Sequence, residues 1–509
     1  MSGEASSVVK NASSPFKRVI QSVFPVTKNE FSKFIPIAVI FFAIVYVYDL
    51  LRIIKSTMVV AQSDVGAQVI PYIKVYGVIP CALLVAQVVL RLLKSYGREQ
   101  VFQILLICYA LFYLLFVKFV YPYQNVLNLT YFENWAFQYT PGGVHGLVLM
   151  LSRWPSSLFY IATELWSSIA IAMVFWGFVN EVSRFEEATR FYPLYLLSGN
   201  AASILAGYTA KGVANHHYRP GMMLGSNSAE QSLWLIVLAT VVAIVVALFS
   251  FKLLLKWHPE LCTRSVQRAS PSSKSKHKLS LWESLKVLKT ERHLVYIAIL
   301  VISYNFVFNL SDYLMETQLK GIFHSNIQAM TSLKGDMAMA TGYLSVFISL
   351  FVSGNLIRHC GWSFAAYATP LAVAVFGVGF YGILLFQQGA VTLASWLNMG
   401  LNPAHIAMWS GFIQIVCSRG FKYTLFDTSK EMAYIPLSQD QQRVGKAAID
   451  GVGSRVGKSF GSFTIQILLV VCSAHAVVPV LSLIAICVTA LWLFAISRLT
   501  LSMKAKDNA

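Results

Sequence analysis

Charge is what this sequence has little of. Of 509 residues, 12% are charged and 56% are hydrophobic, and the mean hydropathy is +0.61. A soluble globular domain carries about 25% charged residues, so the surplus apolar surface here needs lipid as its solvent. Acids are scarcer than bases, 22 against 40, which leaves a formal charge of +18. In a soluble chain that excess would point to nucleic acid. Here the bases gather in short polar stretches between apolar runs, the ordinary topology signal of a membrane protein, and no nucleic-acid partner is expected. Cysteine is sparse too. The seven are scattered, several within apolar runs, so neither a disulfide framework nor a zinc site is indicated and no metal or cofactor is expected. The first 33 residues are polar and basic without a short apolar core, which argues against a cleavable signal peptide.

Long apolar runs are abundant instead. Taking about 20 apolar residues as one crossing, six runs fall in the first half: 34–54, 69–93, 101–121, 147–180, 191–214 and 232–255. Six more follow at 294–319, 332–357, 363–388, 400–426, 446–473 and 476–501. The fourth run is long enough to contain a break at Trp154-Pro155, where proline removes a backbone donor. The expected organisation is a segment 1–33, a six-helix half 34–255, a basic linker 256–292, a second half 293–501 and a tail 502–509. The linker contains Ser-Pro-Ser-Ser-Lys-Ser-Lys-His-Lys at 270–278 and has no apolar face to bury.

Lys and Arg concentrate in alternate loops: Lys10 to Lys33, Lys94 and Arg98, Arg184 and Arg190, the linker, Arg358, Arg443, Lys504 and Lys506. The opposite loops 122–143 and 389–399 carry none. Both termini are therefore predicted to be cytoplasmic. The turn 91–98 after the second run is echoed by 354–361 after the eighth, each combining glycine with basic residues. Six plus six, a basic linker and repeated turns predict an all-α polytopic membrane protein of about twelve transmembrane helices in two halves, as in a major-facilitator-type transporter.

Several cations lie inside the apolar runs or close to them: Arg52, Lys55, Lys74, Lys446, Arg455 and Lys458. A charge in hydrocarbon costs roughly 2.5–3.5 kcal/mol on insertion scales, so such residues usually face a polar cavity. Cations drawn from both halves suggest a central path for an anion. Arg52 also has Asp49 as a local partner, and Lys446 has Asp450 one turn on. Gly453–Ser459 approaches a phosphate-binding loop but is one residue short and lies within an apolar run. ATP hydrolysis is not expected, and the glycines 451, 453, 457 and 461 suit close helix packing.

The strings Lys430-Glu-Met-Ala-Tyr-Ile-Pro-Leu437 and Gly445-Lys-Ala-Ala-Ile-Asp450 are long and specific. With Glu164-Leu-Trp-Ser-Ser168, Phe175-Trp-Gly-Phe-Val-Asn180 and Ile70-Pro-Tyr-Ile-Lys74, they make the chain resemble the ATP/ADP translocase (nucleotide transporter) family of plastids and obligate intracellular bacteria, from about residue 20 to 500. The resemblance implies secondary transport of nucleotides, ATP/ADP or other nucleoside triphosphates, by exchange or proton symport. It implies a multi-pass protein of a bacterial inner membrane, with a plastid inner envelope as the other setting. Its important charges fall on Lys55, Glu164, Asp312 and Lys446. Lys55, Lys446 and Arg52 are thus the expected substrate-binding residues, and Glu164, Asp312 and Glu316 the coupling or charge-compensating ones. The chain departs from the adenylate exchangers in reading Asp312-Tyr-Leu-Met-Glu316 where they commonly end in lysine, and Lys55-Ser56 where they often read Lys-Asp. An acid at Glu316 leaves broader nucleotide choice and proton coupling open.

Alternatives are a carrier of another phosphorylated anion such as a dinucleotide (NAD), an anion channel, or a membrane enzyme. A channel would favour a re-entrant filter segment, and an enzyme a soluble domain or clustered His and acids. Neither is legible. Tyr160, Trp166, Trp176 or Phe308 could stack on a base, but aromatics in such spans more often face core or lipid, so none is assigned. A single chain supplies both halves, and a monomer is expected.

Overall fold

The computed structural model describes residues 26–27, 30–183, 185–216, 225–259, 291–386, 402–446, 449, 453–472 and 474–507. Every regular element among the described residues is helical, as lipid requires of a chain that must satisfy its own backbone groups. Nine helices among the described residues are long and apolar enough to cross a membrane. They are Phe31–Ala61, Gly66–Leu93, Arg98–Val120, Trp154–Val182, Ser228–Trp257, Arg292–Phe323, Ile327–Val352, His359–Leu385 and Ala476–Met503. The runs expected as the fifth, tenth and eleventh spans also form helices, Phe185–Ala214, Pro403–Phe421 and Ser454–Val471, without meeting that standard. Nine helices among the described residues are therefore candidate crossings by length and apolarity, and twelve is the count the sequence predicts. Spans are numbered below in that predicted order. Most of the expected linker lies outside the described residues.

Local signals place the helix ends. Asn227, Asn326 and Asn402 cap the sixth, eighth and tenth spans, each side chain accepting from a backbone N–H of the first turn at 2.9–3.0 Å. The break expected at Trp154-Pro155 is present: Arg153 leaves helical geometry between His145–Ser152 and Trp154–Trp166, and Pro155 occupies the first turn of the latter. Gly361 takes φ +80° in the turn after the eighth span, a conformation open to glycine at little cost. In the first half, Gly77 packs on Ile161 while Phe116 packs on Phe159, so the chain reverses between the second and third spans. Wide π-turns interrupt the second span (Ile73–Val78), the fourth (Ser167–Phe175), the eighth (Ile348–Val352) and the chain just after Phe421 (Lys422–Phe426). A further one closes the third, at Phe116–Val120.

Three large buried cores organise the bundle. One is built from the first half, around Phe41, Trp166, Phe175 and Phe251, with Ala338 joining it. A second belongs wholly to the second half, around Tyr304, Phe426 and Trp492. The third mixes the halves, combining Val59–Ala61, Val69–Ile73 and Tyr160 with Leu310, Leu314, Met330, Ile465 and Leu469. Its first-span members, Val59–Ala61, lie at the very end of that helix. At that end Gln466 donates to the carbonyl of Pro71 at 2.9 Å, and Gly143 touches the backbone of Leu469. Lys211 pairs with Asp336 at 2.7 Å, and Gly207 faces Gly335 so closely that a Cβ would sit 2.5 Å from its carbonyl oxygen. The halves are thus locked together at the Ala61 end.

Candidate functional site between the halves

Below the shared core, charged side chains from both halves converge. On the first span Lys55 is buried and pairs with Glu164 of the fourth, its ammonium 4.6 Å from the centre of the Tyr160 ring. One turn earlier Arg52 pairs with Asp49 at 3.0 Å, and Asp49 accepts from Ser203. On the seventh span Asp312 meets Arg419 of the tenth at 2.7 Å. Glu316, one turn on, meets Lys334 of the eighth at 2.7 Å. Lys334 also donates to Ser56 of the first span at 2.8 Å, crossing between the halves.

A second crossing is made by Lys74, whose ammonium donates to Oδ1 of Asn309 on the seventh span. Asn309 is held by its own amide nitrogen, which donates to the carbonyl of Lys458 at 2.9 Å and to Ser462 at 2.8 Å. That close approach depends on two glycines of the eleventh span. A Cβ on Gly457 would lie 2.7 Å from the Ile302 carbonyl oxygen, and one on Gly461 would lie 3.0 Å from the Asn309 amide. Close helix packing, expected for these glycines, is what they supply.

The structure brings five of the six expected residues to this region: Arg52, Lys55, Glu164, Asp312 and Glu316. It does not bring Lys446 to Lys55. Lys446 ends the short helix Gln439–Lys446 and is half-exposed, pairing with Glu431 at 2.6 Å over the Tyr434 ring. Burial pushes the Glu431 carboxyl up, but Lys430 and Lys446 beside it hold it below the ordinary carboxylate range. Asp450, the expected helical partner of Lys446, lies outside the described residues. Arg419 and Lys334 were missed by the sequence reading, although each is a cation within or beside an apolar run, the signal that singled out Lys55. Of the aromatics considered for base stacking, Trp166 is core, donating to the Ile44 carbonyl at 3.1 Å, and Trp176 packs on Phe41 and Tyr192.

Each acid of this cluster is met by a base, and the bases come from both halves. Such a set of internal pairs can trade its carboxylates for the oxygens of an anionic ligand. The model of the TLC ATP/ADP transporter family matches residues 9–503. The chain belongs to that family. It is 33% identical over 501 residues to a protein of Chlamydia pneumoniae named ADP,ATP carrier protein 1, covering 97% of this chain and 95% of that one. It is 30% identical over 513 residues to ADP,ATP carrier protein 4 of Rickettsia conorii, covering 97% of each. Among solved structures it is similar in fold to a bacterial homologue of the iron transporter ferroportin in an inward-facing state, with TM-score 0.52, 14% identity, and 93% of this chain and 99% of that one covered. A D-xylose–proton symporter matches with TM-score 0.51 and 11% identity over 90% of this chain and 97% of that one. At such identities these two speak for the fold alone: a major-facilitator-type architecture, as the sequence predicted, in a multi-pass membrane protein.

Proposed function

We propose that this TLC-family chain carries nucleotides across a membrane by alternating access, binding their phosphates in the charged site between the halves. The observation that carries this reading is the set of ion pairs Lys55–Glu164, Arg419–Asp312 and Lys334–Glu316, placed just below the locked end. Phosphate oxygens entering the site take over the cations, and the acids neutralise those cations again once the ligand leaves. A nucleoside triphosphate carries about four negative charges near neutral pH, so its dehydration needs several such partners. The names of the chlamydial and rickettsial relatives favour ADP and ATP as the substrates. Lys446, half-exposed towards the opposite end, fits a role at the mouth of the path.

An empty site whose charges satisfy one another resists reorientation, which suits an exchanger. Glu316 suits the competing mode, since an acid in a partly dry path can also bind a proton. Uptake of labelled ATP, GTP, UTP, CTP and NAD into vesicles, with and without preloaded ADP and a protonophore, separates these. Strict one-for-one efflux indifferent to the protonophore supports exchange, and uptake that needs the proton gradient supports symport. Failure to move any nucleotide overturns the reading.

The same proposal places the chain in a bacterial inner membrane as a monomer with both termini in the cytoplasm, so that the unlocked end faces inward. A cysteine introduced at Ser273, in a background otherwise free of cysteine, should resist an impermeant thiol reagent added outside sealed cells. Labelling from outside reverses the orientation.

A further inference from the structure

At the locked end, between the third and fourth spans, lies the short helix Thr130–Tyr139, five of whose ten residues are aromatic. One side of it is committed to protein. Glu133 and Ala136 are buried, and Phe137 stacks on His145 with ring centres 4.1 Å apart. The Glu133 carboxylate accepts from Arg153 at 2.8 and 3.0 Å and from Ser152 at 3.0 Å. Arg153 in turn donates to the carbonyl of Gln62, the residue that ends the first span. The helix is thereby tied to the span whose last residues enter the shared core.

The rest of its circumference divides again. Tyr131, Trp135 and Tyr139 recur every four residues and fall on one stripe, 87%, 54% and 72% exposed. Asn134 and Gln138, also exposed, form a separate stripe beside it. At about 100° per residue the sectors follow one another as core, polar and aromatic. A helix lying in the membrane interface against a bundle needs those three sides, facing protein, water and hydrocarbon. Tyr and Trp suit the third, because each joins an apolar ring to a polar edge. The exposed stripes carry no charge that would select a charged protein partner.

The lipid-facing surface of the bundle leads directly to this helix. On the third span Leu111, Leu115 and Phe119 form an exposed apolar stripe at the same spacing, and the chain continues through exposed Tyr123 and Val126. Lys118 is the only Lys or Arg between residues 101 and 152. It is exposed, its ammonium lies 5.2 Å from the centre of the Phe119 ring, and it has no carboxylate partner among the described residues. A lysine near the end of a span reaches for the headgroups, which sets their level just short of the aromatic helix.

We propose that Thr130–Tyr139 is an interfacial helix whose partner is the phospholipid of the leaflet at the locked end. Tyr131, Trp135 and Tyr139 sit at the boundary between headgroups and acyl chains, and the bilayer so holds Glu133 and Arg153 against the end of the first span. The lock is braced by lipid as well as by protein.

The test uses the full chain in phospholipid nanodiscs, in a background otherwise free of cysteine. A nitroxide attached at Trp135→Cys should collide with dissolved oxygen in preference to a water-soluble nickel chelate, and one at Asn134→Cys should show the reverse preference. Chelate preferred at both positions overturns the anchor, since the aromatic stripe then lies in water. Strong dipolar broadening between labels at 135 also overturns it, by placing a second copy on the stripe. Bracing is read separately at Gln62→Cys, which keeps the carbonyl that Arg153 holds. Adding Tyr131→Ala and Trp135→Ala should make this cysteine react several-fold faster with a soluble thiol reagent, while adding Trp135→Phe alone should leave the rate near its starting value. An unchanged rate in the double alanine variant overturns the bracing, whatever the depth of the helix.

Discussion

Lys334 ties three helices with one ammonium, reaching Glu316 on the seventh span at 2.7 Å and Ser56 on the first at 2.8 Å. Ser56 and Glu316 are the two positions at which the sequence reading found the chain to depart from the adenylate exchangers it resembles, and one ammonium serves both.

Glu316→Lys sets two ammonium groups side by side and should cut nucleotide uptake at least about tenfold, since removing a partner from a buried pair costs roughly 3–5 kcal/mol. The exchanged pair Glu316→Lys with Lys334→Glu should recover much of the uptake. Vesicle uptake of labelled ATP reads both, and a swap as inactive as the single change would mean the pair is not a unit.

Lys55→Met and Glu164→Gln should each abolish most uptake while leaving expression intact. Their effects should not add, because each leaves the other group buried and unpaired. A double-mutant cycle on uptake checks this; strictly additive losses would show that the two act apart.

Much of this site was legible, for one physical reason: lipid makes an unpaired charge so costly that any cation in an apolar run must have a polar purpose. That argument found Lys55 and Arg52 without coordinates, and the family resemblance added Glu164 and Asp312. It could not find their partners. Asp312 and Arg419 are 107 residues apart, and nothing in a single sequence says that their helices face each other at this depth. Lys446 shows the converse. It opens a run read as a span, yet a short, strongly polar helix ends at this residue and leaves it beside Glu431. The crossing of the fifth and eighth spans at Gly207 and Gly335 was equally hidden, because small residues mark a close approach but do not name its partner.

Outside the spans, Glu30 accepts from both guanidinium nitrogens of Arg190, at 2.5 and 3.1 Å, and from Thr27. The Arg190 bond is the largest influence, and the carboxyl is pulled down to about 2. A lowered pKa stabilises the folded chain above the ordinary value of 4.5, and that stability is lost as pH falls towards 2. The pair is solvent-accessible, so its worth is below about 1 kcal/mol. Thermal unfolding in detergent should show Arg190→Gln slightly less stable than the native protein at pH 7, with the gap closing near pH 2–3. A gap constant with pH would assign the effect to packing.

Gly143 lies where any Cβ would meet the Leu469 carbonyl oxygen at 2.1 Å, and its own carbonyl accepts from Tyr72 at 2.7 Å. Gly143→Val should wedge the locked end apart. A cysteine at Gln62, in a background otherwise free of cysteine, should then react several-fold faster with a soluble thiol reagent; an unchanged rate would place the lock elsewhere.

The wide turns of the second and fourth spans recur in the eighth and beside the tenth, positions that correspond when the chain is folded six on six. A π-turn spreads its hydrogen bonds over an extra residue and is the place where a helix yields first. Lys74 sits inside the turn of the second span and Lys422 inside the one beside the tenth, while Glu164 lies three residues before the turn of the fourth. If the halves rock, bending at these turns falls beside the charged residues between the halves rather than at the ends of the rods. Pivots and jaws would then coincide: a change of grip on those charges and a tilt of the barrel would be one mechanical event.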